Sequence, residues 1–252
     1  MASLGSQGLI LSYVKNILQS CCIYLGILKG SFRDFYFLYA LLSIYIMGRR
    51  NILESADLPQ KWMLMIDRDR RVPPNQKIAS KFPVLHVGPV PKFDPKAWDF
   101  VVEGLVENPV RLTYEEFLKL PKVLRVTDFH CVTGWSKLDN RWEGVAFKTV
   151  SDLAKPLKEA KYVTIVAEGN YTTSLPLEDL LEDDVLLAYR LDSKSLEPEH
   201  GGPLRLVVPK KYAYKSAKWV RKIRFTREQE LGYWEKRGYS NTADPWKEER
   251  YA

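Results

Sequence analysis

Short runs of β-branched and aromatic residues, irregularly spaced between Trp98 and Phe225, constrain this fold more than any other feature of the sequence. Trp98–Glu103, Arg125–His130, Tyr162–Ala167, Val185–Tyr189, Leu204–Val208 and Trp219–Phe225 read as strands. Helices fall only between them and are short. Thr113-Tyr-Glu-Glu116 has the form of a capping box opening a helix to Leu120, Phe147–Leu157 reads as a turn entering a helix, and Ser174-Leu-Pro-Leu177 starts another. Strands at uneven spacing with brief helices predict α+β with mixed β-sheets, not a repeating βαβ fold.

Composition divides the 252 residues unevenly. Leu9–Leu28 and Phe35–Met47 are strongly apolar and the chain beyond is not. Phe35–Met47 is short of the roughly 20 residues that span a bilayer, and Leu9–Leu28 carries Lys15 and Gln19. Arg49-Arg50 follows the apolar run, the reverse of a twin-arginine signal, so export is not indicated and a cytoplasmic location is expected. Residues 1–46 are expected to be either a membrane-associating leader, acting through residues 9–47, or an in-frame extension upstream of a start at Met47. Residues 47–95, rich in Pro, Lys and Arg, should wrap a core. Residues 96–252 should form the domain, expected to be a monomer.

The 46% apolar and 27% charged composition is that of a globular protein, and its net charge of +7 suits an anionic cofactor or substrate. No basic block interleaved with aromatics supports a nucleic-acid partner. Of three cysteines, Cys21 and Cys22 are adjacent, which excludes a disulfide scaffold, and the spacings of zinc ribbons, iron–sulfur clusters and c-type haem are missing.

Cys131 lies in Asp128-Phe-His-Cys-Val-Thr-Gly-Trp-Ser136, where a predicted strand meets an expected polar, Gly-containing loop. A strand would fix the sulfur while the loop leaves one side open to a bulky partner. Alone, such a cysteine reads as a buried structural thiol. However, Cys131-Val-Thr-Gly-Trp-Ser136, followed by Trp142-Glu-Gly-Val145, resembles the molybdenum-binding segment of the sulfite oxidase superfamily. His200-Gly-Gly-Pro-Leu-Arg-Leu-Val-Val-Pro209 and Tyr214-Lys-Ser-Ala-Lys-Trp219 resemble two further runs of that family, in the same order. Gly232-Tyr-Trp-Glu-Lys-Arg-Gly-Tyr239 is similar to the end of its short, single-domain members. With Phe82-Pro-Val-Leu-His-Val-Gly-Pro-Val-Pro91, which resembles the family segment that lies against the pterin, these runs cover about Phe82 to Trp246.

The resemblance implies a sulfite oxidase-type fold holding molybdenum through a pterin dithiolene, oxo groups and one cysteine thiolate, here Cys131. A thiolate is a soft, strongly donating ligand, which suits that role. It further implies that His86, His200, Arg205, Ser216, Ala217 and Lys218 hold the pterin and its phosphate. Standing alone, each of these has a structural reading as a loop or strand residue. Glu168 to Asn170 are positional candidates for another cofactor contact.

Animal and plant sulfite oxidases carry Arg-Asn just before the histidine matching His86, and this chain has Val84-Leu85. Loss of that cation argues against efficient sulfite oxidation unless Lys215 or Arg141 replaces it. The expected activity is oxygen-atom transfer to or from a small S- or N-oxo substrate, with an external electron donor or acceptor. Two alternatives remain: a non-redox thiol enzyme using Cys131 with His130 or His200 as base, and a catalytically silent cofactor-binding protein. In a strand, His130 would face away from Cys131.

Overall fold

A computed structural model describes residues 70–252. The expected leader, Met47, Cys21 and Cys22 lie outside the described residues. Among the described residues, no helix is long and apolar enough to cross a membrane.

The fold is α+β, built on two sheets. In chain order the strands are β1 (Lys77–Ile78), β2 (Asp99–Gly104), β3 (Val110–Thr113), β4 (Lys122–Cys131), β5 (Trp135–Ala146), β6 (Tyr162–Ala167), β7 (Thr172–Pro176), β8 (Leu186–Leu191), β9 (Lys194–Ser195), β10 (Arg205–Val207) and β11 (Val220–Thr226). One sheet runs β1-β5-β8-β10, with β4 also on β5 and β9 on β8; the other runs β3-β2-β11-β6-β7. Both are mixed, because β1 joins β5 and β11 joins β2 in parallel while the other pairings are antiparallel.

Helix α1 (Tyr114–Leu118) starts at the expected capping box, in which Glu116 N–H donates to Thr113 Oγ1 and Thr113 N–H to Glu116 Oε2. Helix α2 (Phe147–Ala154) buries Phe147, Val150, Ser151 and Ala154, one face at helical spacing, and ends where Lys155 turns left-handed. Helix α3 (Leu177–Leu180) follows β7.

The main core joins Phe100 and Val102 of β2, Val163 and Ile165 of β6, Ile223 and Phe225 of β11, and α2 to Leu187 and Leu206 of the six-stranded sheet. That sheet's opposite face buries Phe129, Trp142, Leu186, Ala188 and Val207, with Phe82 packed against them. Covered on both faces, β8 and β10 need apolar residues at consecutive positions, which is why they read as continuous runs. Each large side chain so buried contributes about 1.5–3 kcal/mol.

The expected loop after Cys131 is corrected by the structure: a turn over 132–134 leads at once into β5, which returns antiparallel along β4. Period-2 burial is present in β5, yet its inward set, Ser136, Leu138, Asn140, Trp142 and Gly144, is partly polar. Asn140 Nδ2 donates inside to the carbonyls of Thr127 and Lys137, so alternation of burial is not alternation of hydrophobicity. Strands β3 and β7 were likewise not expected from the sequence.

Candidate active site

Strand β4 carries Cys131 at its last position, 7% exposed, with Sγ accepting a hydrogen bond from Thr133 Oγ1 at 3.2 Å. The turn is tight because Gly134 adopts φ +92° and donates its N–H to the Cys131 carbonyl at 3.0 Å. Burial pushes the Cys131 thiol up, opposed by Thr133 and by the charges of Arg250 and Lys218. The sulfur opens onto a cavity of about 330 Å³.

Cys131, His86, His200, Arg205, Ser216, Ala217 and Lys218 all line this one cavity. Arg205 projects from β10, 2% exposed, with its guanidinium carbon 5.0 Å from the Phe129 ring centre, 5.3 Å from Trp142 and 5.9 Å from Phe82. Its donors reach only carbonyls, His200 O at 2.8 Å and Ser216 O at 3.2 Å among them. No carboxylate pairs with it among the described residues, and burial lowers its pKa to about 9.

Lys218 Nζ donates to Leu85 O at 2.7 Å and Glu199 O at 2.5 Å, leaving one of three ammonium donors over. Burial, then repulsion from Arg205, brings its pKa down to about 7. His200 stacks on Phe82 at 4.8 Å, its pKa lowered by burial and by Lys218 and Arg205, and its Nδ1 is buried without a partner. The sequence sets this up locally: Gly201 turns at φ +107°, and a Cβ there would sit 3.0 Å from the Lys218 side chain.

His86 bonds through Nδ1 to Gly88 O at 2.9 Å and sets its ring against Trp219. Ser216 spends its hydroxyl lone pair on Val208 N–H, and the Ala217 carbonyl accepts from Leu206 N–H, so these two shape the wall.

Several expectations fail here. Glu168 pairs with Arg221 at 2.5 Å, and neither it, Gly169 nor Asn170 lines the cavity; Tyr171, one residue on, does. Lys215 is no substitute for the missing cation, being sealed against Glu235, and Arg141 is exposed on β5 away from the cavity. His130 turns from Cys131 as strand alternation requires and bonds Ser136 Oγ at 2.8 Å, which removes the support for it as base to a Cys131 nucleophile. Thr133, Trp234 and Tyr239 also line the cavity. Sequence reasoning missed them as site residues, although all stand within motifs it had singled out.

A lone thiol, an Arg–Lys pair with no carboxylate bonded to it among the described residues and an orphaned imidazole nitrogen, all on one cavity, make a site suited to an anionic organic cofactor. Among the described residues, no cluster of three His, Cys, Asp or Glu could build a metal centre from protein alone, so a metal here would bring its other ligands with it. The residues fit a phosphorylated, metal-carrying pterin: cations and donors for its phosphate, a soft ligand for its metal.

The chain belongs to the oxidoreductase molybdopterin binding domain family, which matches residues 87–234, and is a sulfite oxidase-like, molybdenum-cofactor-dependent oxidoreductase. It is 47% identical over 186 residues to the uncharacterized oxidoreductase YuiH of Bacillus subtilis, covering 73% of this chain and 94% of YuiH. It is 34% identical over 160 residues to the protein-methionine-sulfoxide reductase catalytic subunit MsrP of Campylobacter jejuni, covering 57% of this chain and 54% of MsrP. The sulfane dehydrogenase SoxCD of Paracoccus pantotrophus shares the fold, with a TM-score of 0.51 at 24% identity over 56% of this chain and 41% of that one.

Proposed function

We propose that this oxidoreductase transfers an oxygen atom to or from a small, neutral S- or N-oxo compound, exchanging electrons with an external partner. The observation that carries the reading is the composition of the cavity: its two cations, Arg205 and Lys218, are assigned here to the cofactor phosphate, and Leu85 beside His86 lines it with an apolar side chain 50% exposed, next to Val84 at 49%. Kinship with a protein-methionine-sulfoxide reductase supports a sulfoxide among the candidates.

In this reading Cys131 holds the metal, and Arg205 and Lys218 grip the cofactor phosphate with His200 beside them. His86, Ser216 and Ala217 shape the pterin wall. The cofactor supplies the two-electron chemistry of oxygen transfer. The chain's residues do the rest: Thr133 orients the sulfur, the rings of Phe82, Phe129 and Trp142 keep water from Arg205, and Leu85 presents an apolar entry that favours uncharged substrates. The catalytic unit in this reading is residues 96–252, to which the described part of the preceding segment, 70–95, adds Phe82, Leu85 and His86 of the cavity wall.

The test begins with metal analysis and absorption spectroscopy on protein made in a host that synthesises the molybdenum cofactor. About one molybdenum per chain is expected, with Cys131→Ser losing metal or the thiolate-to-metal band. An unchanged spectrum with full activity in Cys131→Ser overturns the assignment. Turnover with reduced viologen separates an enzyme from a silent cofactor-binding protein.

A further inference from the structure

The turn that follows Cys131 is held from outside by the two ends of the described chain. On one side Gln76 Nε2 donates to Cys131 O at 3.1 Å and Lys77 N–H to Gly134 O at 2.9 Å. On the other, Arg250 donates through Nη1 to the Val132 carbonyl. The guanidinium lies 5.2 Å from the Tyr212 ring centre and 3.7 Å from Glu248, and Asn75 Nδ2 donates to the same Glu248 carboxylate at 2.7 Å, linking the two sides.

The C-terminal end is anchored in turn. Tyr239 and Tyr251 form an antiparallel bridge, with Ser240 N–H donating to Arg250 O at 3.2 Å and Ala252 N–H to Gly238 O at 3.0 Å. Residues 248–252 therefore join the Cys131 turn to the segment that presents Tyr239 to the cavity. They lie beyond the residues matched by the family, 87–234.

We infer that Arg250 is a positioning residue for Cys131: by holding the Val132 carbonyl it fixes the turn that aims the sulfur, and the C-terminal five residues brace the metal end of the cavity. This rests on the reading of Cys131 as metal ligand. A charged donor to a carbonyl with one side chain only 20% exposed is a strong local restraint, and nothing else from the C-terminal side bonds the turn's backbone among the described residues.

Hydrogen–deuterium exchange read by mass spectrometry on the full, cofactor-loaded chain tests it, comparing wild type with Arg250→Ala and Arg250→Lys. Exchange over 131–136 should rise about tenfold in Arg250→Ala, and β6 and β11 should keep wild-type protection. Molybdenum retained after dialysis should fall in the same variant. Arg250→Lys keeps one donor and should fall between; it carries the test alone if Arg250→Ala does not fold. Wild-type exchange at 131–136, a uniform rise across the chain, or a local rise with undiminished molybdenum would each overturn the inference. Failure of the ligand reading would instead appear as metal retention in Cys131→Ser, with the exchange result untouched.

Discussion

Lys215 and Glu235 form an ion pair at 2.5 Å with side chains 0% and 1% exposed, beneath the wall that carries Tyr214 and Trp234. Lys215 Nζ also donates to Ser174 O at 3.0 Å, and Thr173 Oγ1 donates to Glu235 Oε1 at 2.7 Å, so the pair ties two cavity-lining segments to β7. Burial drives the Lys215 pKa down despite its partner. Removing one member strands the other in the interior, so Glu235→Leu should cost about 3–5 kcal/mol in denaturant unfolding. The double change Lys215→Met with Glu235→Leu should recover most of that loss. Equal destabilisation in single and double variants would show that the packing, not the stranded charge, sets the cost.

The Arg205–Lys218 end gives a prediction with a sign. In cofactor-free protein the Lys218 pKa is about 7, below its unfolded value of about 10.4. Between these values the unfolded chain binds the extra proton, so this group makes stability rise as pH increases from about 7 to about 10. Its cost is fully present below pH 7. Thermal unfolding of cofactor-free protein should show that rise, and Lys218→Met should flatten it. A bound phosphate reverses the effect by favouring the ammonium.

For Arg205, Met is a better substitute than Ala, because the stem packs among three rings and truncation would add a cavity to the lost charge. Arg205→Met should lose cofactor on dialysis roughly tenfold to a hundredfold faster, with the circular dichroism spectrum unchanged. Retention equal to wild type would reduce Arg205 to a structural cation.

Gly144, in Trp142-Glu-Gly-Val145, sits where β5 and β8 shift register, and a Cβ there would meet Leu187 O at 2.1 Å. That oxygen and Ala188 Cα, 2.7 Å from the same Cβ, are backbone in a core strand and cannot yield as a flexible side chain would. Gly144→Ala should therefore destabilise by about 1–3 kcal/mol or more. A shift of the unfolding midpoint with an unchanged denaturant slope is the expected signature.

The sequence reveals what depends on local chemistry or on ordered motifs. The Thr113 capping box needs only residues three apart, and β6 has β-branched residues on a doubly covered strand, so both were legible. Six of the seven proposed site residues were proposed from the order of three motifs, because no one of them is distinctive alone, and His86 from the separate run around it. β5 was hidden by inward Ser136 and Asn140, whose partners come from the β4 hairpin it forms. Arg250 was hidden for a different reason: its contact spans 118 positions, and no pattern in sequence announces a side chain that bonds a distant carbonyl. The exclusion of Lys215 as an anion-binding cation likewise required knowing that Glu235 reaches it across a turn of the fold.

The last prediction concerns substrate charge. Val84 and Leu85 stand where sulfite oxidases carry a cation, and with Lys215 sealed and Arg141 elsewhere, neither restores it. With Lys218, which bonds the Leu85 carbonyl, given to the cofactor phosphate in this reading, an anion entering past Leu85 loses hydration without gaining a cation, whereas a sulfoxide or N-oxide gives up less. On metal-replete protein, kcat/KM for reduction of methionine sulfoxide or trimethylamine N-oxide by reduced viologen should therefore exceed kcat/KM for sulfite oxidation. Leu85→Arg should narrow the gap by improving sulfite use roughly tenfold, since a charge-assisted donor contributes about 1.5–3 kcal/mol. The charges of Arg250 and Lys218 both reach Cys131, and of the two Arg250 is the one not assigned to the cofactor phosphate. Efficient sulfite oxidation by the wild type, lost in Arg250→Met with molybdenum content intact, would show that the C-terminal arginine serves as the anion site and that the preference for neutral substrates is wrong.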